Sequence, residues 1–347
     1  MEQGSGQHLR ELTVGSPVKT VTYSRAYTLV PTYECFNRCT YCNFRVEPGR
    51  SPWLSLDQVA QLLPLLRQRG VCEVLVLSGE VAPGSPRRAD WLHHIHQTCA
   101  LALAAGLLPH TNAGPLSQTE MAQLREVNVS MGLMVEQVTP RLLDTVHRHA
   151  PSKRPEVRLN QLIQAGELGI PFTTGLLLGL GETEADWVES LGAIARIHHR
   201  YGHIQEVILQ PHSPGQRQLQ PGMALDEMDL ARAVQLAQEW LPAEIAIQIP
   251  PNLVSRRGLL ACLDAGARDL GGISPIDEVN PDYDHPTPES LEAAIAPSGW
   301  HLQPRLPVYH QYDSWLPESM QSLVQTWRTS LNHPPTYPNR VKSSQVH

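Results

Sequence analysis

From about residue 25 to residue 295, short apolar or β-branched runs alternate with longer stretches whose apolar residues recur at helical spacing. The runs predict strands over Tyr27 to Pro31, Glu73 to Leu77, Leu107 to His110, Asn128 to Met134, Phe172 to Leu178, Glu206 to Gln210, Ile245 to Ile249 and Arg268 to Leu270. Helix starts lie between them. Ser55 stands before LDQVAQLLPLLRQ, and Ser117 stands before QTEMAQLREV with Glu120 in the capping-box position. Thr139 is followed by Pro140 at a first helical position, and Thr183 opens EADWVESLGAIARIHHR. Pro64 predicts a kink in the first of these helices.

Strand followed by helix, repeated in series, implies parallel pairing through right-handed crossovers. The expected fold is α/β, a TIM-type (β/α)8 barrel or a partial one. Residues 1–22 read as a polar N-terminal segment, 23–328 as the barrel, and 329–347 as a tail expected to be poorly ordered. Within the barrel, 274–288 (SPIDEVNPDYDHPTP) reads as a long loop. Function on such a barrel sits in the loops after the strands, here YECFNRCTYCNFR, SGE, TNAG, VEQ, GLGE, QPHSPG, PPN and GGISP.

Composition narrows the class. With 41% hydrophobic and 18% charged residues, the 347-residue chain has ample material for a core. No apolar run approaches the ~18 residues of a membrane span. The net charge of -7 offers no field for polyanions, so neither nucleic acid nor membrane is an expected partner. Met1 to Arg10 is polar and carries no export-signal pattern, which sets a cytoplasmic expectation. Neither G-x-S-x-G nor H-E-x-x-H occurs, removing the commonest hydrolase signatures. The pairs His93/His96 and His198/His199 lack a completing ligand and read as solvated helix surface.

Cysteine distribution carries the chemistry. Cys72, Cys99 and Cys262 lie in apolar contexts and read as small core residues. Cys35, Cys39 and Cys42 instead form C-x3-C-x2-C on one short loop, three soft thiolates suited to zinc or to an iron-sulfur cluster. Closed zinc coordination lacks a nearby fourth ligand. A cubane held by three cysteines leaves one iron open to a small molecule. Coincidence and a partial zinc site are the competing readings. The run Gly175 to Glu182 (GLLLGLGE) fails as a dinucleotide fingerprint at its third glycine.

With Tyr41 directly before the last cysteine and the loop following the first strand, the arrangement resembles the radical S-adenosylmethionine (SAM) superfamily. The resemblance implies a [4Fe-4S] cluster whose open iron chelates the amino and carboxylate groups of SAM. One-electron reduction then yields methionine and a 5'-deoxyadenosyl radical. By the same resemblance Tyr41 belongs to the cofactor site, and Ser78, Gly79 and Glu80 form the element that receives the methionyl ammonium. Glu136 would accept from the ribose hydroxyls, and Arg158 would pair bidentately with the SAM carboxylate. The Gly175 to Glu182 run would let backbone approach the adenosyl group.

Over about Tyr27 to Tyr312, the segments PTYECFNRCTYCNFR, LLPHTNAG, VSMGLMVE, TTGLLLGLGET, ARDLGGISPIDEVNP and RLPVYHQY resemble the CofG family of deazariboflavin synthases. That resemblance implies an ammonia-releasing carbon-nitrogen lyase. It would convert 5-amino-5-(4-hydroxybenzyl)-6-(D-ribitylimino)-5,6-dihydrouracil, the product of CofH, to 7,8-didemethyl-8-hydroxy-5-deazariboflavin. It also implies an electron donor such as flavodoxin or ferredoxin, and an association with CofH. Thr111, Asn112, His212, Asn252, Ser274 and Asp277 are the rim residues expected to hold the uracil, ribityl chain or phenol. Two alternatives stay open: a CofH-like or menaquinone-pathway radical SAM enzyme, and a non-catalytic zinc or iron-sulfur binding protein.

Overall fold

The computed structural model describes residues 19–332 except 220, 221 and 223. In chain order its elements are β1 (Lys19–Leu29), α1 (Leu56–Gln68), β2 (Glu73–Leu77), α2 (Arg88–Ala104), β3 (Leu108–Asn112), α3 (Gln118–Arg125), β4 (Ser130–Gly132), α4 (Pro155–Glu167) and β5 (Phe172–Leu178). There follow α5 (Glu184–Tyr201), β6 (Ile204–Pro211), α6 (Glu227–Trp240), β7 (Ala246–Gln248), α7 (Arg256–Ala265), β8 (Asp269–Ile273), α8 (Pro288–Ile295), β9 (Trp300–Arg305) and α9 (Glu318–Asn332). Every pairing is parallel, and β1 closes a barrel of eight strands by pairing with both β2 and β8. The expected (β/α)8 barrel is the observed fold.

Local chemistry explains the helix starts. Ser55 with Gln58, Ser117 with Glu120 and Thr183 with Asp186 each form a reciprocal capping box. Each satisfies amide groups at a helix start, at about 1 kcal/mol apiece. Thr139 and Pro140 open only a single tight turn, Pro140–Asp144. The α1 helix continues through Pro64 to Gln68.

Two boundaries move. The first strand begins at Lys19, so the expected border between residues 22 and 23 falls inside β1. Its sequence KTVTYSRAYTL alternates polar and apolar residues and offers no continuous apolar run. The lower half of β1, Lys19 to Ser24, pairs with β9, while Ala26 to Leu29 pair with β2. The β9 strand, WHLQPR, was not foreseen: it is short, contains Pro304 and lies beyond the point where the alternation fades. At the other end α9 runs past Arg328, with Trp327 buried, its indole Nε1 donating to Gly106 O at 2.9 Å and Arg67 stacked on its ring. The rest of the expected tail, from residue 333, lies outside the described residues, as do residues 1–18.

The main core lies between barrel and helices, where outward-facing strand residues such as Val74 and Val76 are wholly buried. Cys72, Cys99 and Cys262 are fully buried there, as expected. His198 belongs to this interior too, against the expectation of a solvated face; it turns inward toward Glu244 at 3.2 Å, while His199 is exposed. No described helix is long and apolar enough to cross a membrane.

Candidate active site

The loop after β1 is laced to two other rim segments by its backbone. Phe36 N donates to Glu80 O at 3.0 Å, Arg38 N to His149 O at 2.8 Å and Thr40 N to Val146 O at 3.2 Å. A short turn, Cys42 N to Cys39 O at 3.3 Å, sets the last two cysteines. Gly79 lets this loop come close: a Cβ there would stand 2.2 Å from the Glu34 carbonyl oxygen. Cys39 is buried, Cys35 and Cys42 are half-buried, and all six cysteines are free. Burial pushes the Cys39 thiol up to about 12 and that of Cys35 to about 11. Buried thiols of this kind become ligands when a metal draws off their protons.

Three free thiols on one short loop are a soft donor set that fits an iron-sulfur cubane, in which each thiolate takes a different iron.

Beside the loop, Glu80 and Glu136 are held by a shared set of partners. Asn37 Nδ2 donates to Glu80 Oε2 at 2.8 Å, and the Ser152 hydroxyl donates to the same oxygen. Arg158 reaches the other Glu80 oxygen at 3.1 Å and lies 3.7 Å from Glu136. Lys153 pairs with Glu136, and the Tyr41 hydroxyl donates to Glu136 Oε2 at 3.4 Å while standing 2.9 Å from His147 Nε2. Burial alone would raise the Glu136 carboxyl, but Lys153 and Arg158 outweigh it and hold the group at about 2. Glu136 has a φ of 69°, the one positive value at a non-glycine among the described residues. Such strain costs about 1–3 kcal/mol and persists where the surroundings over-determine it.

Arg158 is 1% exposed and donates also to Met134 O at 2.6 Å and Ser152 O at 3.1 Å. All three of its nitrogens therefore have protein partners, and the guanidinium ties Glu80 to Glu136. Ser78 accepts from the Trp91 indole at 2.9 Å, which fixes the end of β2. Gly114, with φ of +78°, makes room for Glu80, whose Cγ would lie 2.3 Å from a Cβ there. In the glycine run, the Glu182 carboxylate accepts from Gly179 N at 2.6 Å and Leu180 N at 2.7 Å, closing the loop after β5.

Tyr41, Cys42, Ser78, Glu80, Glu136, Lys153 and Arg158 all face one cavity of about 360 Å³. Of the expected substrate contacts, Asn112, His212, Asn252, Ser274 and Asp277 line it. Thr111 does not. Side chains alternate along β3, so His110 and Asn112 face inward while Thr111 turns out and donates to Asn128 at 2.7 Å. Asn252 and Asp277 are joined at 2.8 Å. Part of the 274–288 loop also lines the cavity, tied down by Tyr33 Oη donating to Glu278 at 2.6 Å and by Tyr283 Oη donating to Pro214 O at 2.9 Å. Asn37, His147, Ser152 and Lys153 were missed from sequence. Asn37, inside the cysteine loop, was the one with a local signal.

A closed parallel barrel with three free thiols on the loop after its first strand, one of which, Cys42, shares a cavity with Glu80 and Glu136, is the arrangement of a radical SAM enzyme, a class that works with a [4Fe-4S] cluster and SAM. The sequence profile of the Radical SAM superfamily matches residues 29–194. The fold is similar to the FeFe-hydrogenase maturase HydG from Carboxydothermus hydrogenoformans, with TM-score 0.69 and 17% identity over 90% of this chain and 77% of that one. Methylornithine synthase (PylB) is similar at TM-score 0.63 and 16% identity, over 85% of this chain and 86% of that one. Much nearer in sequence is a 7,8-didemethyl-8-hydroxy-5-deazariboflavin synthase of Trichormus variabilis, 59% identical over 91% of this chain and 94% of the relative. The synthase of Synechococcus elongatus is also 59% identical, over 94% of this chain and 98% of its own length. The chain belongs to the 7,8-didemethyl-8-hydroxy-5-deazariboflavin synthase family.

Proposed function

We propose that the protein converts 5-amino-5-(4-hydroxybenzyl)-6-(D-ribitylimino)-5,6-dihydrouracil to 7,8-didemethyl-8-hydroxy-5-deazariboflavin with release of ammonia. The observation that carries this reading is that Cys42, Glu80 and Glu136 share one cavity with the barrel interior, in a chain 59% identical to synthases of that name. When bound, the cluster and SAM supply a 5'-deoxyadenosyl radical that takes hydrogen from the substrate.

The chain's residues provide the setting. Cys35, Cys39 and Cys42 hold the cluster. Glu80, already oriented by Asn37, Ser152 and Arg158, accepts the methionyl ammonium. Arg158, whose three nitrogens are already taken by Ser152 O, Met134 O and Glu80, positions the carboxylate pair rather than pairing bidentately with the methionyl carboxylate, and Glu136, kept ionised, accepts from the ribose hydroxyls. Tyr41 braces Glu136 from the cysteine loop. The 274–288 loop keeps water from the mouth. Substrate comes from CofH, and electrons from a donor such as flavodoxin or ferredoxin. All six cysteines being free suits the reducing cytoplasm.

The test is anaerobic reconstitution with iron, sulfide, SAM and the substrate, read by product mass and by 5'-deoxyadenosine. Deazaflavin formation by the native chain, and joint loss of brown absorbance and 5'-deoxyadenosine in Cys39→Ala, are expected. Retained SAM cleavage in Cys39→Ala would overturn the assignment.

A further inference from the structure

Below the rim the cavity continues to the lower end of the barrel, where its floor is polar. A TIM-type barrel ordinarily fills that space with branched apolar side chains. Alternation along the strands defines the layers. Along β2 the inward residues rise from Glu73 to Leu75, and along β6 from Glu206 to Ile208. Glutamate is thus the lowest residue of each strand that lines the cavity, with an apolar side chain directly above.

The floor is completed from elsewhere. Arg305, at the end of β9, donates to Glu206 at 2.7 Å and to both Asp269 oxygens at 2.5 and 2.6 Å. Thr173 Oγ1 donates to the other Glu206 oxygen at 3.1 Å. His110 is fixed through Nδ1, 2.7 Å from the Ser130 hydroxyl, leaving its Nε2 beside Gly132, where a Cβ would come within 2.9 Å. The Glu73 carboxyl opens toward Gly272, on which a Cβ would stand 3.7 Å from both of its oxygens. Glycine there is required by Ala26, whose Cβ would lie 2.8 Å from a Cβ at 272, and it leaves the Glu73 oxygens uncovered on that side.

Arg305 is matched by Asp269, and this fixed ion pair leaves no free positive charge for a phosphate. Burial raises the Glu73 and Glu206 carboxyls and holds the His110 imidazole neutral, at about 3. Besides that pair the floor offers Glu73, Thr173 and His110, polar side chains that hydrogen-bond and none of them a cation. They suit a hydroxylated ligand.

We propose that this floor binds a neutral polyhydroxylated chain, the ribityl group of the substrate, so that the attached rings rest against Leu75 and Ile208 and point up toward the SAM-binding rim. This rests on the proposed reaction, and assigns Glu73 and Thr173 as the residues that select the chain. Glu73 is the residue to change, because it is not among the hydrogen-bond partners through which Arg305 of β9 holds Asp269 and Glu206.

The experiment compares the reconstituted full chain on two substrates, the ribitylimino compound and an analogue with a plain pentyl chain. In Glu73→Leu, kcat/KM for the ribityl substrate falls about tenfold through KM, the size of one or two lost hydrogen bonds. The pentyl analogue is turned over unchanged, and Glu73→Gln restores the ribityl substrate to within about threefold. Equal losses on both substrates, or no loss on either, overturn the proposal. Should Glu73→Leu fail to fold, Thr173→Val on the same floor is expected to show the same selective loss, and its absence counts equally against it. If the native chain makes no deazaflavin, the proposed reaction is what fails. Calorimetry with 5-amino-6-(D-ribitylamino)uracil then still decides the floor: binding weakened about tenfold in Glu73→Leu supports it, and equal affinity or no binding to the native chain refutes it.

Discussion

Replacing Arg158 by Met removes the one side chain that joins the two rim carboxylates. The guanidinium is 1% exposed and loses its bonds to Met134 O, Ser152 O and Glu80 together. Glu80 keeps Asn37 and Ser152, and Glu136 keeps Lys153, but the pair then carries one buried cation instead of two. Removing one partner from a buried charge set costs about 3–5 kcal/mol, because the remaining charges stay desolvated. At roughly 2 °C per kcal/mol, the lower end of the range for domains of about 150–250 residues, the melting temperature should fall by about 6–10 °C. The loss depends on pH in a defined direction. In the native chain Glu136, held at about 2, contributes stability above the unfolded value of 4.5 that disappears only as pH falls through about 2. In Arg158→Met that carboxyl takes up its proton earlier, so the gap between the two proteins is widest near pH 8 and narrows below about pH 5. Calorimetric melting of both apoproteins from pH 4 to pH 8 measures it. A gap under about 1 kcal/mol at neutral pH, or one that widens in acid, would refute the charge-tether account.

Other perturbations test other links. His203 is wholly buried and held neutral, at about 3 against 6.5 unfolded, so it gives stability above pH 6.5 that is lost as pH falls toward 3. His203→Phe should therefore cut the stability lost between pH 8 and pH 5 by about 2 kcal/mol, and an unchanged acid limb in denaturant titrations would contradict this. Gly79→Ala places a methyl 2.2 Å from the Glu34 carbonyl and must displace the cysteine loop; iron bound per chain after reconstitution should fall by more than about half, with a destabilisation of about 1–3 kcal/mol. Full iron loading in that variant would show that the loop tolerates the shift.

Much of the barrel and the heart of the site were legible because their signals are local. The cysteine spacing is eight residues of contiguous chain, and Glu80 and Glu136 stand just past the ends of apolar runs, where barrel chemistry collects. Lys153, Ser152 and His147 were not legible: they come from a stretch of irregular chain before α4 that meets the cysteine loop only in three dimensions. Thr111 was placed on the wrong face because a strand's inward parity is fixed by its neighbours, and His110 had to be seen pairing with Leu75 to set it. Glu73 and Glu206 passed as strand beginnings, although their parity with Leu75 and Ile208 already turned them inward. The β9 strand pairs with Lys19 to Ser24, the part of β1 below its pairing with β2, a long-range partner that nothing local in WHLQPR signals.

The central claim is that three cysteines leave one iron open to SAM beside Glu80. Electron paramagnetic resonance of the reduced, reconstituted protein tests it most directly. Adding SAM should change the cluster signal in the native chain, and the change should weaken in Glu80→Gln. An identical spectrum with and without SAM would contradict the account.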